Sequence, residues 1–471
     1  MTPVALLILG LLVVLGGILV LRLHPILALL LGALLVGGLT SDDLLREFAL
    51  SKGLTESQTS NLVNQTLGSR IVVAFGDSCE KIGLLIVLAS IIGKCLLETG
   101  AAERIVRSMI SIFGIKKAPG AYLASSFALA IPIFFDTVFY LMIPLARAMG
   151  LRNQKAYALC VAGIIAGGTM AHSLVPPTPG PLFAAGAFHV SIGLMIMMGT
   201  VIGLICAAAG MAYAYWLNNH QEIPLRKTAD TSIEELKAML DKDTSQLPSF
   251  IMANIPIVLP VMLIAGKTIT DNIDGVPPAI STFFKHIGEP VIALFIAAIF
   301  SLFLMAKQYS FHLKDLKKPI EDSIYSAGTI ILITATGGAF GAMLQQTSIG
   351  SWLAGVMPDY KLAVLPVAFL ITAVIRTAQG SATVAMITAV GMLSALNTPG
   401  ALSFHPVYIA IVIGCGSKLF PWMNDSGFWI VTKMSGFTEG ESIQNFSLLL
   451  TTMGITGLIC TMIFAKLFPL I

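Results

Sequence analysis

The chain has 471 residues, 56% hydrophobic and only 11% charged, with a formal net charge of +3. A soluble domain carries about a quarter charged residues, so the composition excludes an ordinary globular protein and indicates an all-α, multi-pass membrane protein in a lipid bilayer. The charge is too small to call for nucleic acid, and the six cysteines form no CxxC pair, so no disulfide framework, metal site or cofactor is expected.

Residues 4–21 form a charge-free span with neither a basic leader nor an A-x-A site, which reads as a retained first helix. A second span covers 26–40. The polar stretch 41–81 should lie outside the hydrocarbon, a third span covers 82–97, and 98–119 should be a short polar connection. Residues 121–146 are apolar except for Asp136, inside IPIFFD at 131–136. Residues 156–221 contain no Asp, Glu, Lys or Arg, yet their middle holds Pro176, Pro177, Pro179 and Pro181. Each proline lacks an N–H and clashes with the turn before it, so 156–187 should be a helix broken at mid-membrane. Such backbone is tolerated only where protein buries it or where it lines a wet cavity, and it points to a transporter's binding site.

After a charged linker at 218–249 the order repeats. Spans fall at 250–266, 290–305 and 327–344. An apolar stretch at 365–396 contains Arg376 and GSATVA at 380–385, a break interrupts 405–433 at NDSG, and a last span covers 446–464. Gly180 falls on Gly427 and Asp136 on Thr383, both pairs 247 positions apart, which marks an internal repeat. Arg104, Arg107, Lys116 and Lys117 precede the Asp136 segment, and Arg147, Arg152 and Lys155 follow it. Basic residues mark the cytoplasmic side, so both ends of 121–146 read as cytoplasmic and the segment as a re-entrant hairpin. The segment at 365–396 lacks that basic flank and should enter from the other face. The expected architecture is two inverted repeats, 1–217 and 250–471. Each holds about five transmembrane helices plus a hairpin (near 121–146 and 365–396) and a broken helix (156–187 and 405–433), and a cytoplasmic linker joins them.

Two hairpin tips and two helix breaks should therefore meet near mid-membrane. Freed helix N-termini carry about half a positive charge and open N–H groups, which suits a small anion. Thr137, Thr178, Gly180, Gly380, Ser381, Thr383, Asn424 and Ser426 supply hydroxyls, an amide and close-approach glycines at those points. Arg376 could fork onto a carboxylate, pair with an acid, or snorkel. Asp136 and Asp425 each cost roughly 2.5–3.5 kcal/mol at the bilayer centre on insertion scales, so both are functional candidates. Lys418, seven residues before Asp425, could neutralise it along one helix face, and Asp425 could cap the following half-helix. Asp136 has no basic neighbour in its hairpin and is the favoured proton carrier, with Asp425 as a structural or substrate-orienting group.

At IPIFFD (131–136), VPPTPGP (175–181), GSATVA (380–385) and NDSGFW (424–429) the chain resembles the gluconate permease (GntP) family of bacterial symporters. The likeness spans nearly the whole sequence. The resemblance implies import of a gluconate-like sugar acid by proton symport in the bacterial inner membrane, or of D-serine as in some members. It also implies a homodimer working as an elevator-type transporter. Thr178 stands where the family commonly has His. From the residues alone the expectation is a secondary carrier of a small organic anion. Sodium stays open as the coupling ion, and a channel is the rival reading. No HExxH, GxSxG or P-loop argues for an enzyme or ATP drive.

Overall fold

The computed structural model describes residues 1–21, 23–114, 117–226, 247–273, 276–309, 313–349, 363–394, 402–423 and 425–470. It is all-helical, with no strand among the described residues. Among the described residues six helices are long and apolar enough to cross a membrane, or up to eight if each of two bent pairs counts as one span.

In the first half, α1 (Pro3–Leu19) and α2 (Pro25–Leu39) are followed by two short polar helices, α3 (Asp42–Ser51) and α4 (Glu56–Asn64). The next helix, α5, runs unbroken from Leu67 to Glu98. The polar residues 67–81 are thus the first turns of one 32-residue helix capped by Thr66, continuous with the expected span at 82–97. The expected short connection at 98–119 is corrected. It contains α6 (Ala101–Phe113), whose apolar side is buried and which bends 67° from α5.

The Asp136 segment forms two helices, α7 (Ala118–Leu129) and α8 (Phe135–Arg152), separated at 130–134 by Pro132 and its neighbours. The proline-rich segment likewise divides into α9 (Tyr157–Leu174) and α10 (Pro179–Ala187). Residues between them include a cis Pro176–Pro177 bond. A long helix, α11 (Ile192–His220), completes this half, and residues 227–246 of the expected linker lie outside the described residues.

The second half comprises α12 (Phe250–Asn272), α13 (Pro278–Ile287), α14 (Pro290–Gln308), α15 (Leu313–Gln345), α16 (Val364–Gln379), α17 (Ala382–Leu393), α18 (Val407–Gly416), α19 (Ser426–Ser435), α20 (Glu439–Ser442) and, after a π-helical stretch, α21 (Leu449–Leu467). Phe135, Pro179 and Ile192 begin helices, and so do Ala382, Ser426 and Glu439, each 247 positions later.

The packing separates a core from a coat. The stretch Gln154–Ala187 has 94% of its apolar window buried, against 33% for α12. Backbone-to-backbone packing holds the core together. A methyl added at Gly167 would lie 2.2 Å from the Leu123 carbonyl, and one at Gly163 would lie 2.5 Å from that of Pro119, so α7 rides directly on α9. Between helices that cannot gain much from excluding water in lipid, such small-residue contacts supply close van der Waals packing. The same contact recurs where Gly341 of α15 meets Gly391 of α17.

Candidate functional site

A cavity of about 590 Å³ opens inside this core. Its walls come from the starts of α8 (Phe134–Asp136), α17 (Ser381–Thr383) and α19 (Asp425–Gly427). The inner turns of α9, with Thr169 and His172, and Phe446 and Leu450 near the last span close it. Three helix N-termini thus converge on one space. Their free N–H groups and partial positive charge favour an anion there.

The sequence reaches this geometry by local rules. The last turn of α16 ends at Gly380, whose φ of +83° lets the chain reverse where a side chain would be strained. The Gly380 N–H donates to the Arg376 carbonyl at 3.0 Å. Ser381 then caps α17 by accepting from the Val384 N–H at 3.4 Å. Asp425 caps α19 in the same manner, its Oδ1 accepting from the Phe428 N–H at 3.0 Å.

Arg376 and Asp425 form a buried ion pair, 3% and 6% exposed, through Arg376 Nη2 and Asp425 Oδ2. Arg376 Nε donates to the Ser417 carbonyl at 2.9 Å, while Nη1 is buried without a hydrogen-bond partner among the described residues. Of the three roles open to Arg376, it takes the pair with an acid. Lys418 is also buried, and its Nζ donates to Ser173 Oγ on α9. The idea that Lys418 neutralises Asp425 along a shared face is corrected. α18 ends at Gly416 and α19 starts at Ser426, so no continuous helix aligns the two, and Arg376 is the ion-pair partner.

Asp136, in the first turn of α8, makes no ion pair or hydrogen bond among the described residues and opens onto the cavity. It faces Asp425 across Gly427, where an added methyl would sit 2.9 Å from Asp425 Oδ1 and 3.7 Å from Asp136 Oδ1. His172 Nε2 lies 3.4 Å from Thr383 Oγ1, its ring is 5.5 Å from that of Phe134, and its Nδ1 is buried without a partner among the described residues.

Of the residues singled out in the sequence, Asp136, Arg376, Gly380, Ser381, Thr383, Asp425 and Ser426 line this cavity. Thr137 is not among its lining residues. Thr178 borders a smaller neighbouring cavity with Pro132, Phe134 and Pro177, and its hydroxyl donates to the Val175 carbonyl at 2.7 Å. Gly180 serves packing, since a methyl there would meet Met386 Sδ at 2.8 Å. Asn424 lies outside the described residues. Sequence reasoning missed Thr169 and Phe446, which sit in apolar runs with no irregularity to mark them.

The profile of GntP family permeases matches residues 2–467. The chain belongs to the GntP family of permeases. It is thus a transporter and not an enzyme, a multi-pass protein of the bacterial inner membrane. It is 30% identical over 444 residues to a gluconate permease of Zymomonas mobilis, covering 93% of this chain and 92% of that one. It is 29% identical to the gluconate permease of Pseudomonas aeruginosa, covering 82% and 84%. The YdaH transporter of Alcanivorax borkumensis shares the fold at a TM-score of 0.58 and 15% identity, covering 95% of this chain and 99% of that chain.

Proposed function

We propose that this GntP permease is a secondary active carrier that imports a small hydroxylated carboxylate, a gluconate-like sugar acid, together with a proton. The observation that carries this reading is the charge balance of the cavity. Its charged side chains are two cations, Arg376 and Lys418, and two acids, Asp136 and Asp425. With both acids ionised and both bases protonated the set is neutral. With Asp136 protonated it carries one net positive charge, which a substrate carboxylate neutralises. An uncompensated charge in such a setting costs several kcal/mol, so proton and anion are better carried together than apart. Arg376 Nη1 and the three helix starts would receive the carboxylate. Ser381, Thr383, Ser426 and His172 offer partners for sugar hydroxyls. The names of the gluconate-transporting relatives support the same class of solute.

The helix starts that recur 247 positions apart support a reading of 1–217 and 250–471 as inverted repeats joined by a cytoplasmic linker at 218–249. In this reading α7–α8 and α16–α17 are re-entrant hairpins and α9–α10 and α18–α19 are broken helices. These eight carry the cavity and move as an elevator against α1, α2, α5, α12, α14 and α15 in a homodimer.

Uptake in proteoliposomes, with a panel of hydroxy acids and D-serine, tests the function. Proton and sodium gradients are imposed separately. Saturable accumulation of a sugar acid driven by a proton gradient alone is expected. Sodium-only drive would overturn the coupling, and flux without saturation or counterflow would overturn the carrier.

A further inference from the structure

A second cavity, of about 700 Å³, lies at the opposite end of α17, a helix whose start lines the first. The start of α17 lines the central cavity, and its far end, with Gly391 and Ser394, lines this one together with Gly186 and Ala187 near the end of α10. At a rise of 1.5 Å per residue, the twelve residues of α17 separate the two spaces by about 18 Å. The other walls are α5 and α15, so the cavity lies between the helices assigned to the moving body and those assigned to the frame.

Its polar groups are Asp77, Ser78 and Lys81 from α5, His189 just beyond α10, Gln345 at the end of α15 and Ser394 after α17. Gln345 Nε2 donates to Ser394 Oγ at 3.2 Å. Lys81 and Asp77 have no ion-pair partner among the described residues, not even each other, although they stand one turn apart. His189 has a φ of +55°, left-handed backbone that costs a residue with a side chain on the order of 1–2 kcal/mol and favours glycine. Its backbone is fixed there, with the Val190 N–H donating to the Ala185 carbonyl at 2.8 Å. A glycine would do the backbone's work at lower cost, so the imidazole has another use. Burial first, then the charges of Lys81 and Lys52, holds that imidazole below its ordinary titration range. It is therefore neutral at pH 7 and offers a hydrogen bond beside the Lys81 ammonium.

We infer that this cavity is a second binding site for a small carboxylate, in which Lys81 and His189 hold the solute before it reaches the central cavity. The ammonium takes the carboxylate as a point charge. His189, Ser78 and the Gln345 amide take hydroxyls. The Asp77 carboxylate opposes the anion and keeps the hold weak enough for release. The solute class rests on the function proposed above, while the site rests on this separate set of residues.

Equilibrium binding of radiolabelled gluconate to the purified protein in detergent, with uptake kinetics in proteoliposomes, provides the test. Two classes of site are expected in the wild type. Lys81→Gln should abolish the weaker class and raise KM at least five-fold with kcat within two-fold, and Lys81→Arg should restore both. Asp77→Asn should lower KM. His189→Gly should raise the melting temperature, because it relieves the backbone, and still raise KM. A single class of site in a wild type that transports gluconate would overturn the second site and leave the proposed function standing. So would an unchanged KM in Lys81→Gln. A wild type that neither binds nor transports any hydroxy acid would overturn both.

Discussion

Arg376, in the last turn of α16, reaches across the core to the carboxylate of Asp425, which also caps α19. One acid thus starts a helix and anchors a cation from 49 residues earlier. The neighbouring acid, Asp136, has neither duty. This difference sorts the two carboxyls by experiment.

Asp425→Asn should cost stability, because it leaves the Arg376 guanidinium buried without its counter-charge, a loss of about 3–5 kcal/mol for a broken buried pair. Asp136→Asn removes no partner and should melt close to the wild type. Thermal melts of the two purified variants side by side check the contrast. Equal melting temperatures would contradict the assignment of the pair.

Asp136→Asn mimics the protonated acid. It should exchange labelled solute for unlabelled across the membrane yet fail to accumulate it under an imposed pH gradient. Counterflow and gradient-driven uptake measured on the same proteoliposomes separate the two. Accumulation driven by pH alone in this variant would remove Asp136 from the coupling.

Gly427→Ala places a methyl 2.9 Å from Asp425 Oδ1 and 3.4 Å from the Phe446 ring, between the two acids. Uptake should fall at least ten-fold while the protein still purifies as a folded species. Retained uptake would mean that solute does not pass between Asp136 and Asp425.

Arg226 forks onto Glu441 at 2.6 and 2.9 Å and also donates to the Gly436 carbonyl at 3.0 Å. Arg226→Gln and Glu441→Gln should each cost about 1.5–3 kcal/mol, the range for hydrogen bonds to charged groups. The double variant should cost less than the two together, because the bond between the two side chains is lost only once, while the Gly436 and Thr438 bonds are lost in either order. Melting temperatures of all three variants check this.

Thr383→Val should weaken substrate binding, since its hydroxyl lies on the cavity wall beside His172. Thr178→Val should lower stability more than affinity, since that hydroxyl is engaged by the Val175 carbonyl. Titration of solute binding to each variant distinguishes the two.

The irregular points were legible in the sequence because proline and glycine act locally. The prolines at 176–181 end one helix and start another, and Gly380 ends α16, wherever the rest of the chain goes. The acids were legible because charge in an apolar run has to be explained. The partnerships were not legible. Arg376 with Asp425, and Lys418 with Ser173 at 245 residues' separation, depend on how distant helices pack. The seven-residue rule applied to Lys418 fails because it holds only along an unbroken helix. That Asp77, Ser78 and Lys81 open onto a cavity was not legible either, because a hydropathy count cannot distinguish a cavity wall from any other exposed surface.

The contacts of Arg226 bear on how the two halves find each other. Arg226 lies in the first part of the linker, on the side of the first half, whereas Gly436 and Glu441 belong to the second half. Arg147 of the first half adds bonds to the Met434 carbonyl and to the carbonyl of Arg226 itself, both at 2.9 Å. Recognition between the halves is therefore written into side chains, and the covalent connection is not needed to specify it. A gene split between codons 226 and 250, with both fragments co-expressed, should yield two polypeptides that co-purify as one particle.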